Sequence, residues 1–477
     1  MTTYLTLITP QKSSHRCSLR NENRLRLTPF ARKAYRVLLE IHSEHYTVGD
    51  WHTLYDQSFN HSTLRGVIQR GDFLTYPPLR DVIHKEVTVQ NAVKAAESMF
   101  SGGNPVSSIL VAGKTINRVA SFSDKLVIRK IDRNIKRISP TFQESRSSIV
   151  SNVKSLLSEG VPYRSYRLDV KSFFESFPKN FIIDLLHDAR TLSTPTKQLT
   201  AKLLDQNGPG LPRGLSISSS LSELAMIPFD AALKKLDHVF FYARFVDDIL
   251  IVTSGDEPEG FVVDYIEATL PAGLTLNRKK LETPTKLTTI KPYDANKTKV
   301  QTFGQGKNPL LSMEYLGYAF EVYDPPKTDT PRNQFRTVRL DISESKRNKI
   351  KKRIVLAVYS YCKNKNFQLL ENRLNFLTSN FSIEDKNRDQ KRLAGLYYNY
   401  YLITDSDADG LKELDCFLRA AVLSNKGRTF ARFYKNSTPL QRRQLLTHSF
   451  VFNFRKEAFV HHTAKQLKQI QRCWKYA

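Results

Sequence analysis

Residues 242–252 read Tyr-Ala-Arg-Phe-Val-Asp-Asp-Ile-Leu-Ile-Val. Adjacent carboxylates, Asp247 and Asp248, interrupt two β-favouring runs, the pattern of a strand–turn–strand hairpin whose tip presents negative charge. Such a tip constrains the rest of the chain. Bringing carboxylates together is costly unless a divalent cation or a cationic group neutralises them. A polar hairpin turn is the simplest reading of the stretch alone. Matching segments upstream and downstream decide against it.

Upstream stands Arg167-Leu-Asp-Val-Lys-Ser-Phe-Phe174, in which Asp169 ends an apolar run 78 residues before Asp247. An isolated aspartate there is most simply a helix N-cap. Beside an Asp-Asp hairpin it completes three carboxylates able to hold two Mg²⁺ ions about 3.5–4 Å apart for in-line phosphoryl transfer. Residues 210–222, Gly-Leu-Pro-Arg-Gly-Leu-Ser-Ile-Ser-Ser-Ser-Leu-Ser, predict a rigid loop feeding a helix. Its glycines let backbone approach a flat ligand, and its small serines leave room for a stacked base pair. Leu276-Asn-Arg-Lys-Lys-Leu-Glu282 adds a lysine near the same site, and residues 313–318, Met-Glu-Tyr-Leu-Gly-Tyr, predict a tight hairpin.

Composition narrows the class. A chain of 477 residues, 40% hydrophobic and 25% charged, holds two or three domains and is not disordered by default. No run approaches the ~18–20 apolar residues of a membrane span, and the first thirty residues lack the apolar core of a secretory signal. Cys17, Cys362, Cys416 and Cys473 are scattered without zinc-site spacing, as expected of free thiols in a reducing cytoplasm. With 73 Lys and Arg against 46 Asp and Glu, the net charge is +27. The stretch from residue 331 to 477 holds 30 basic and 12 acidic residues, so about two thirds of the excess lies there. Cationic surfaces of this size face phosphates, and nucleic acid is the expected partner rather than a membrane.

Periodicity predicts helices over residues 29–46, 87–99, 145–157, 181–203, 216–236 and 261–270. Short β runs are expected at 107–112, 125–131, 166–170 and 315–323. From residue 341 the chain reads as mostly helical, basic and rich in tyrosine, with a boundary at the Pro325-Pro326 and Pro331 cluster. Three domains result: 1–105, helical and of unassigned role; 106–330, bearing the motifs; and 331–477, basic and α-helical.

In order and content these motifs resemble the reverse transcriptases. The block from Asp169 to Phe174, the Leu211-Pro-x-Gly214 loop, the Asp-Asp hairpin, the Asn-x-x-Lys segment ending at Lys280 and the Leu316-Gly317 turn follow the family's palm order over roughly residues 105–320. The resemblance implies a right-hand polymerase, an α/β palm and fingers plus an all-α basic C-terminal domain in the thumb position. It implies that Asp169, Asp247 and Asp248, with the Val170 carbonyl, bind two Mg²⁺ (or Mn²⁺). By the same resemblance Lys280 protonates departing pyrophosphate, and Phe174, beside Phe173, is an aromatic gate against ribose. Arg129 and Lys130 grip the triphosphate, Arg213 and Gly214 face the nascent pair, and Tyr315, Leu316 and Gly317 hold the primer. Two features differ from retroviral and retron enzymes: Arg213 stands where glutamine is usual, and Phe245-Val-Asp-Asp replaces Tyr-x-Asp-Asp. Both features, with Asn366-Phe-Gln-Leu-Leu and Gly395-Leu-Tyr-Tyr-Asn-Tyr400, are similar to the bacterial abortive-infection and defence-associated group. That group implies a cytoplasmic bacterial enzyme using dNTPs and a non-coding RNA template or scaffold, making a DNA product, and it admits a homo-oligomer.

Other features stay open at this level. Six of the eight residues from Lys346 to Arg353 are basic. Lys346, Arg347, Lys351, Lys352 and Arg353 are therefore either a solvated helix face or a nucleic-acid contact. Tyr397, Tyr398, Tyr400 and Tyr401 suit core packing, base stacking or a protein-priming hydroxyl, and His461-His462 reads as surface. The rival functions are a template-independent, protein-primed deoxynucleotidyl transferase and a catalytically silent RNA-binding scaffold.

Overall fold

The computed structural model describes residues 55–111, 113–138, 144–278, 285–287, 309–323, 335–385, 390–404 and 408–474, all within a unit that starts at Gly49. It is a mixed α/β protein. Short helices His61–Arg65 and Asp72–Thr75 precede α1 (Val82–Glu97), the hairpin of β1 (Val106–Val111) and β2 (Lys114–Val119), α2 (Phe122–Ile138) and α3 (Arg146–Leu157). β3 (Tyr163–Asp169) leads through helices Lys179–Asp188 and Thr194–Asp205 to α4 (Ser216–Lys234). Then come β4 (Val239–Phe245), β5 (Asp248–Thr253), a helix Phe261–Thr269 and β6 (Thr285–Leu287). β7 (Leu311–Tyr315), β8 (Tyr318–Tyr323) and β9 (Thr337–Ile342) precede α5 (Glu344–Asn364), α6 (Phe367–Thr378) and the hairpin of β10 (Asn380–Asp385) and β11 (Gln390–Gly395). After the helix Leu396–Tyr400 and α7 (Asp409–Leu423), shorter helices run to Trp474.

The antiparallel sheet β4-β5-β3-β6 has two buried faces. Pairing puts Tyr166, Leu168, Ile249 and Ile251 on one face, packed with Leu126 and Ile131 of α2 and Leu221 and Met226 of α4. Tyr163, Ala243, Leu250 and Val252 lie on the other, in a core shared with α3, the β7-β8-β9 sheet and α5 to α7. Burial on both faces explains why β5 reads as an unbroken apolar run rather than an alternation.

Several expectations changed. Residues 125–131 are helical, inside α2, because buried Leu126, Val127, Ile131 and Ile135 continue a helical period beyond the short β-branched run. The helix expected over 181–203 is two, separated before Pro195 in the first turn of the second. The C-terminal part also carries strands: β9 pairs with β8 across the proline cluster, so one sheet spans residue 331, and β10–β11 is a further hairpin. His462 is half-buried, its ring 6.2 Å from Phe381 and 6.3 Å from Phe376. Tyr400 is core, 5.5 Å from the Tyr318 ring, and Tyr397 packs 5.4 Å from Phe454. The helix expected over 29–46 and Cys17 lie outside the described residues; Cys362, Cys416 and Cys473 are free thiols. Among the described residues no helix is long and apolar enough to cross a membrane.

Ending the chain at residue 330 would strip β9 and α5 to α7 from fully buried Tyr315, Phe320, Leu250 and Val252. Each exposed side chain costs about 1.5–3 kcal/mol, against a net stability of roughly 5–15 kcal/mol. The truncated chain is expected to aggregate; a monomeric, cooperatively melting fragment by size exclusion and circular dichroism would refute the shared core.

Candidate active site

The hairpin tip is pinned from behind. Phe245 pairs with Asp248, leaving Val246 and Asp247 as a two-residue loop in which Val246 has φ +63°. A β-branched residue in left-handed backbone costs about 1–2 kcal/mol. Arg244 offsets it by donating to the Val246 carbonyl at 3.1 Å. The same guanidinium donates to Asp230 at 2.8 Å and Glu223 at 2.7 Å, both on α4. Burial opposes its charge, but the bonds to Asp230 and Glu223 prevail and raise its pKa above the ordinary value. Tyr242 completes the cluster, its hydroxyl 2.5 Å from Asp230 and strongly raised by burial. Sequence reasoning gave Arg244 no role; Glu223 and Asp230, acids on an otherwise apolar helix face, were the available signal.

Asp169 and Asp248 are register partners across β3 and β5. The Val170 amide donates to the Asp247 carbonyl at 3.1 Å, marking the neighbouring position as the hydrogen-bonded pair. Asp169 and Asp248 are therefore the non-hydrogen-bonded pair, whose Cβ atoms sit about 4.5–5.5 Å apart on one face. Asn277 steadies Asp169 twice, through its Nδ2 on the carboxylate at 2.9 Å and its amide on the carbonyl at 2.7 Å. The Lys171 amide donates to Thr275 at 2.9 Å, zipping this segment along the strand end. Lys171, Glu267, Thr275, Asn277 and Arg278 line a cleft of about 570 Å³ there. Lys280 lies outside the described residues.

Among the described residues, no group of three or more acid, histidine or cysteine side chains is drawn together enough to hold a metal ion. The donor chemistry nevertheless fits Mg²⁺. Asp169 and Asp248 supply paired hard oxygens, and Asp247 stands beside them on the adjoining two-residue tip.

Around this end the loop at 210–214 is laced to its neighbours. The Leu211 amide donates to Phe174 at 2.7 Å, and the Asn117 amide of β2 donates to Arg213 at 2.8 Å. Gly210 has φ +77°, and a Cβ there would sit 2.5 Å from the Glu175 carbonyl oxygen. Arg213 forms a bidentate pair with Glu175 at 2.6 and 3.0 Å and lies 5.6 Å over the Phe174 ring. Its pKa is raised by Glu175, with a smaller push from Asp247. Val170 and Phe173 are buried, Phe173 standing edge-on to Phe174 at 5.3 Å and to Phe177 at 5.1 Å. Gly214, Ser216 and Ser219 are exposed, whereas Ser218, Ser220 and Ser222 are buried and hydrogen-bonded within the protein. Glu175 went unread in the sequence because nothing local distinguishes it.

Arg129 and Lys130 are engaged elsewhere. Arg129 pairs with buried Asp72, and Lys130 donates to the Tyr55 hydroxyl at 3.2 Å and the Asp56 carbonyl at 2.5 Å. The β7–β8 turn is formed by Leu316 and Gly317, with φ +49° and +82°. Arg146 clamps it, donating to the Leu316 carbonyl at 2.6 Å and stacking 4.9 Å over Tyr318. Buried Tyr315 donates to the Ala243 carbonyl of β4 at 3.4 Å; burial and nearby Asp248 raise its pKa. On α5 the basic run divides. Arg347 and Lys351 pair with Glu413, and Arg353 stacks 5.6 Å over Trp474. Lys346, Lys349 and Lys352 are exposed, with Lys346 against Gly317.

Arg244→Met would leave buried Glu223 and half-buried Asp230 without their cation, and a broken buried pair costs about 3–5 kcal/mol. Urea unfolding is expected to show that loss; a change below about 1 kcal/mol would mean the cluster is not holding the hairpin. Compared with known proteins, the chain matches no family model and no curated protein significantly.

Proposed function

We propose that the chain is an RNA-directed DNA polymerase, adding deoxynucleotides to a 3′ oxygen under direction of a bound non-coding RNA in bacterial antiphage defence. One observation carries the polymerase reading: Asp169 and Asp248 are cross-strand partners, with Asp247 on the adjoining two-residue tip. Under this reading the strands from β3 to β6 are a palm, the β1–β2 hairpin and α2 belong to fingers, and α5 begins the thumb. The RNA and defence elements rest on the motif resemblance alone.

Asp169, Asp247, Asp248 and the Val170 carbonyl would hold Mg²⁺ or Mn²⁺, which when bound activates the attacking oxygen and neutralises the transferring phosphate. Phe174, backed by Phe173 and covered by Arg213, excludes the ribose 2′-hydroxyl. Arg118, exposed on β2 next to the Asn117 that binds the 213 carbonyl, is better free to meet a triphosphate than Arg129 or Lys130. The Leu316-Gly317 turn orients the primer end. Lys346, Lys349 and Lys352, spread over about 120° of one helix face, neutralise strand phosphates beyond it.

The test uses protein purified from a native-like host, given Mg²⁺ and labelled dNTPs without added nucleic acid. A product complementary to a co-purifying RNA, lost on RNase treatment, is expected. Asp247→Asn should lower its yield at least about a thousandfold, the equivalent of several kcal/mol of metal-borne stabilisation. A product surviving RNase and matching no RNA would instead establish untemplated, protein- or strand-primed transfer. No product in the unmodified protein, with RNA still bound, would favour the silent scaffold.

Replacing Lys346, Lys349 and Lys352 with Gln should weaken RNA binding and lower the slope of log affinity against log salt by about two. The paired residues Arg347 and Lys351 serve as the comparison, and an unchanged slope in the triple variant would return the exposed run to solvent.

A further inference from the structure

Behind the proposed site, α2 carries a second basic cluster. Lys130, Arg133 and Arg137 share one face of the helix at i, i+3 and i+7. With Tyr55, Asp56, Ser62, Thr63 and Gly66 they line a cleft of about 360 Å³, within the range of small-ligand sites. Asp132, two positions from Lys130 and so about 200° around the helix, bonds to Ser220 of α4 at 2.5 Å. The cleft therefore opens on the side of α2 turned from α4, and it shares no residue with the aspartate hairpin.

Its charges are poorly compensated. Lys130 is 2% exposed, yet it has no carboxylate partner among the described residues. Its ammonium meets the Tyr55 hydroxyl and the Asp56 carbonyl, both neutral, and lies 4.5 Å over the Tyr55 ring. Arg137 lies 5.2 Å over the same ring, and Arg133 donates to the Gly66 carbonyl at 3.1 Å. Nearby Asp132 is taken by Lys136 and Ser220. The Asp56 carboxylate, the one acid lining the cleft, accepts from the Ser58 amide at 2.8 Å. A buried ammonium with only neutral acceptors is expensive, and an anion beside it would recover part of that cost.

We propose that this cleft binds a phosphate-bearing small molecule, with Lys130 at its base and Arg133 and Arg137 at its mouth. A tetrahedral phosphate oxyanion suits two guanidinium forks and one ammonium, and the rest of the ligand would lie along the Tyr55 ring. The inference does not depend on polymerase activity. Burial lowers the Lys130 pKa to about 8, against a smaller opposing effect from Asp56. Between about 8 and the unfolded value of 10.5, the unfolded lysine holds a proton that the native one has released. The free protein therefore gains stability as pH rises through that window. Phosphate binding runs the other way, since it needs the protonated amine.

Titration calorimetry on the full chain, in chelator so that the aspartates hold no metal, would use inorganic phosphate, a nucleoside monophosphate and the bare nucleoside. One saturable site is expected for the phosphate probes and none for the nucleoside. Arg133→Gln and Arg137→Gln, both surface changes, should each weaken binding about tenfold. Affinity should fall from pH 7 to pH 9 although the ligand itself becomes more anionic. Tighter binding of the monophosphate than of inorganic phosphate would identify a nucleotide; equal binding would identify free phosphate. No saturable binding of either phosphate probe, or unchanged affinity in both variants, would overturn the proposal.

Discussion

Two carboxylates on neighbouring strands, facing the same way at the same register, set the terms for the rest of this molecule. Left without a cation or donor, two carboxylates about 5 Å apart at an effective dielectric constant near 20 would repel by roughly 3 kcal/mol. That is a large share of the net stability of a typical domain. The register enforcing it is hard to escape. A slip of β3 by one residue against β5 would turn Tyr166 and Leu168 out of one core and Tyr163 out of the other. Apolar burial on both faces thus holds the charged end of the sheet in a geometry it would not adopt alone.

What was legible in the sequence is what local pattern controls. The hairpin at 245–248, the strand ending at Asp169, the Leu316-Gly317 turn and the helix following Gly214 all follow from turn chemistry and periodicity, and their pairing is as expected. The misreadings share a cause. Residues 125–131, taken in a short window, look β-branched; only the longer window of α2 reveals the helical period. Strands β9, β10 and β11 lie in a basic, polar stretch where helix was the expected pattern, and their partners fix them more than their composition. Partnerships such as Arg213 with Glu175, or Arg244 with Glu223 and Asp230, cross 38, 21 and 14 residues, and no local rule reaches that far.

Charge counted along the chain also overstated what is available at the surface. The C-terminal third carries a net +18, but many of its cations are structural. Arg336 donates to the Glu159 and Val161 carbonyls at 2.6 and 2.8 Å and stacks on buried Tyr163. Arg373, 3% exposed, donates to the Ile470 carbonyl. Arg442 serves the carbonyls of Tyr434 and Ser437. These side chains close helix ends and loop carbonyls that would otherwise be buried unsatisfied. A cation so used retains its charge in the count but is turned to a carbonyl, a carboxylate or a ring of its own chain, which is why exposed Lys346, Lys349 and Lys352 differ from Arg347, Lys351 and Arg353 within one run.

Helix α4 joins the two halves of the proposed site. Immediately before its first turn stands the loop with Arg213 and Gly214, stitched to Phe174 and Asn117. About two and four turns further along, Glu223 and Asp230 hold Arg244, which in turn holds the Val246 carbonyl at the hairpin tip. The loop bearing Arg213 and the hairpin carrying the acids are thus both tied to one rod. Pro228 inside that rod lies between Glu223 and Asp230, so the break it makes in the backbone hydrogen bonding falls where Arg244 bridges the helix from outside. The ion pairs on either side of Pro228 tie both halves of the helix to the same guanidinium that holds the tip. Pre-organisation of this kind, on regular elements rather than on free loops, is what a site handling several negative charges requires.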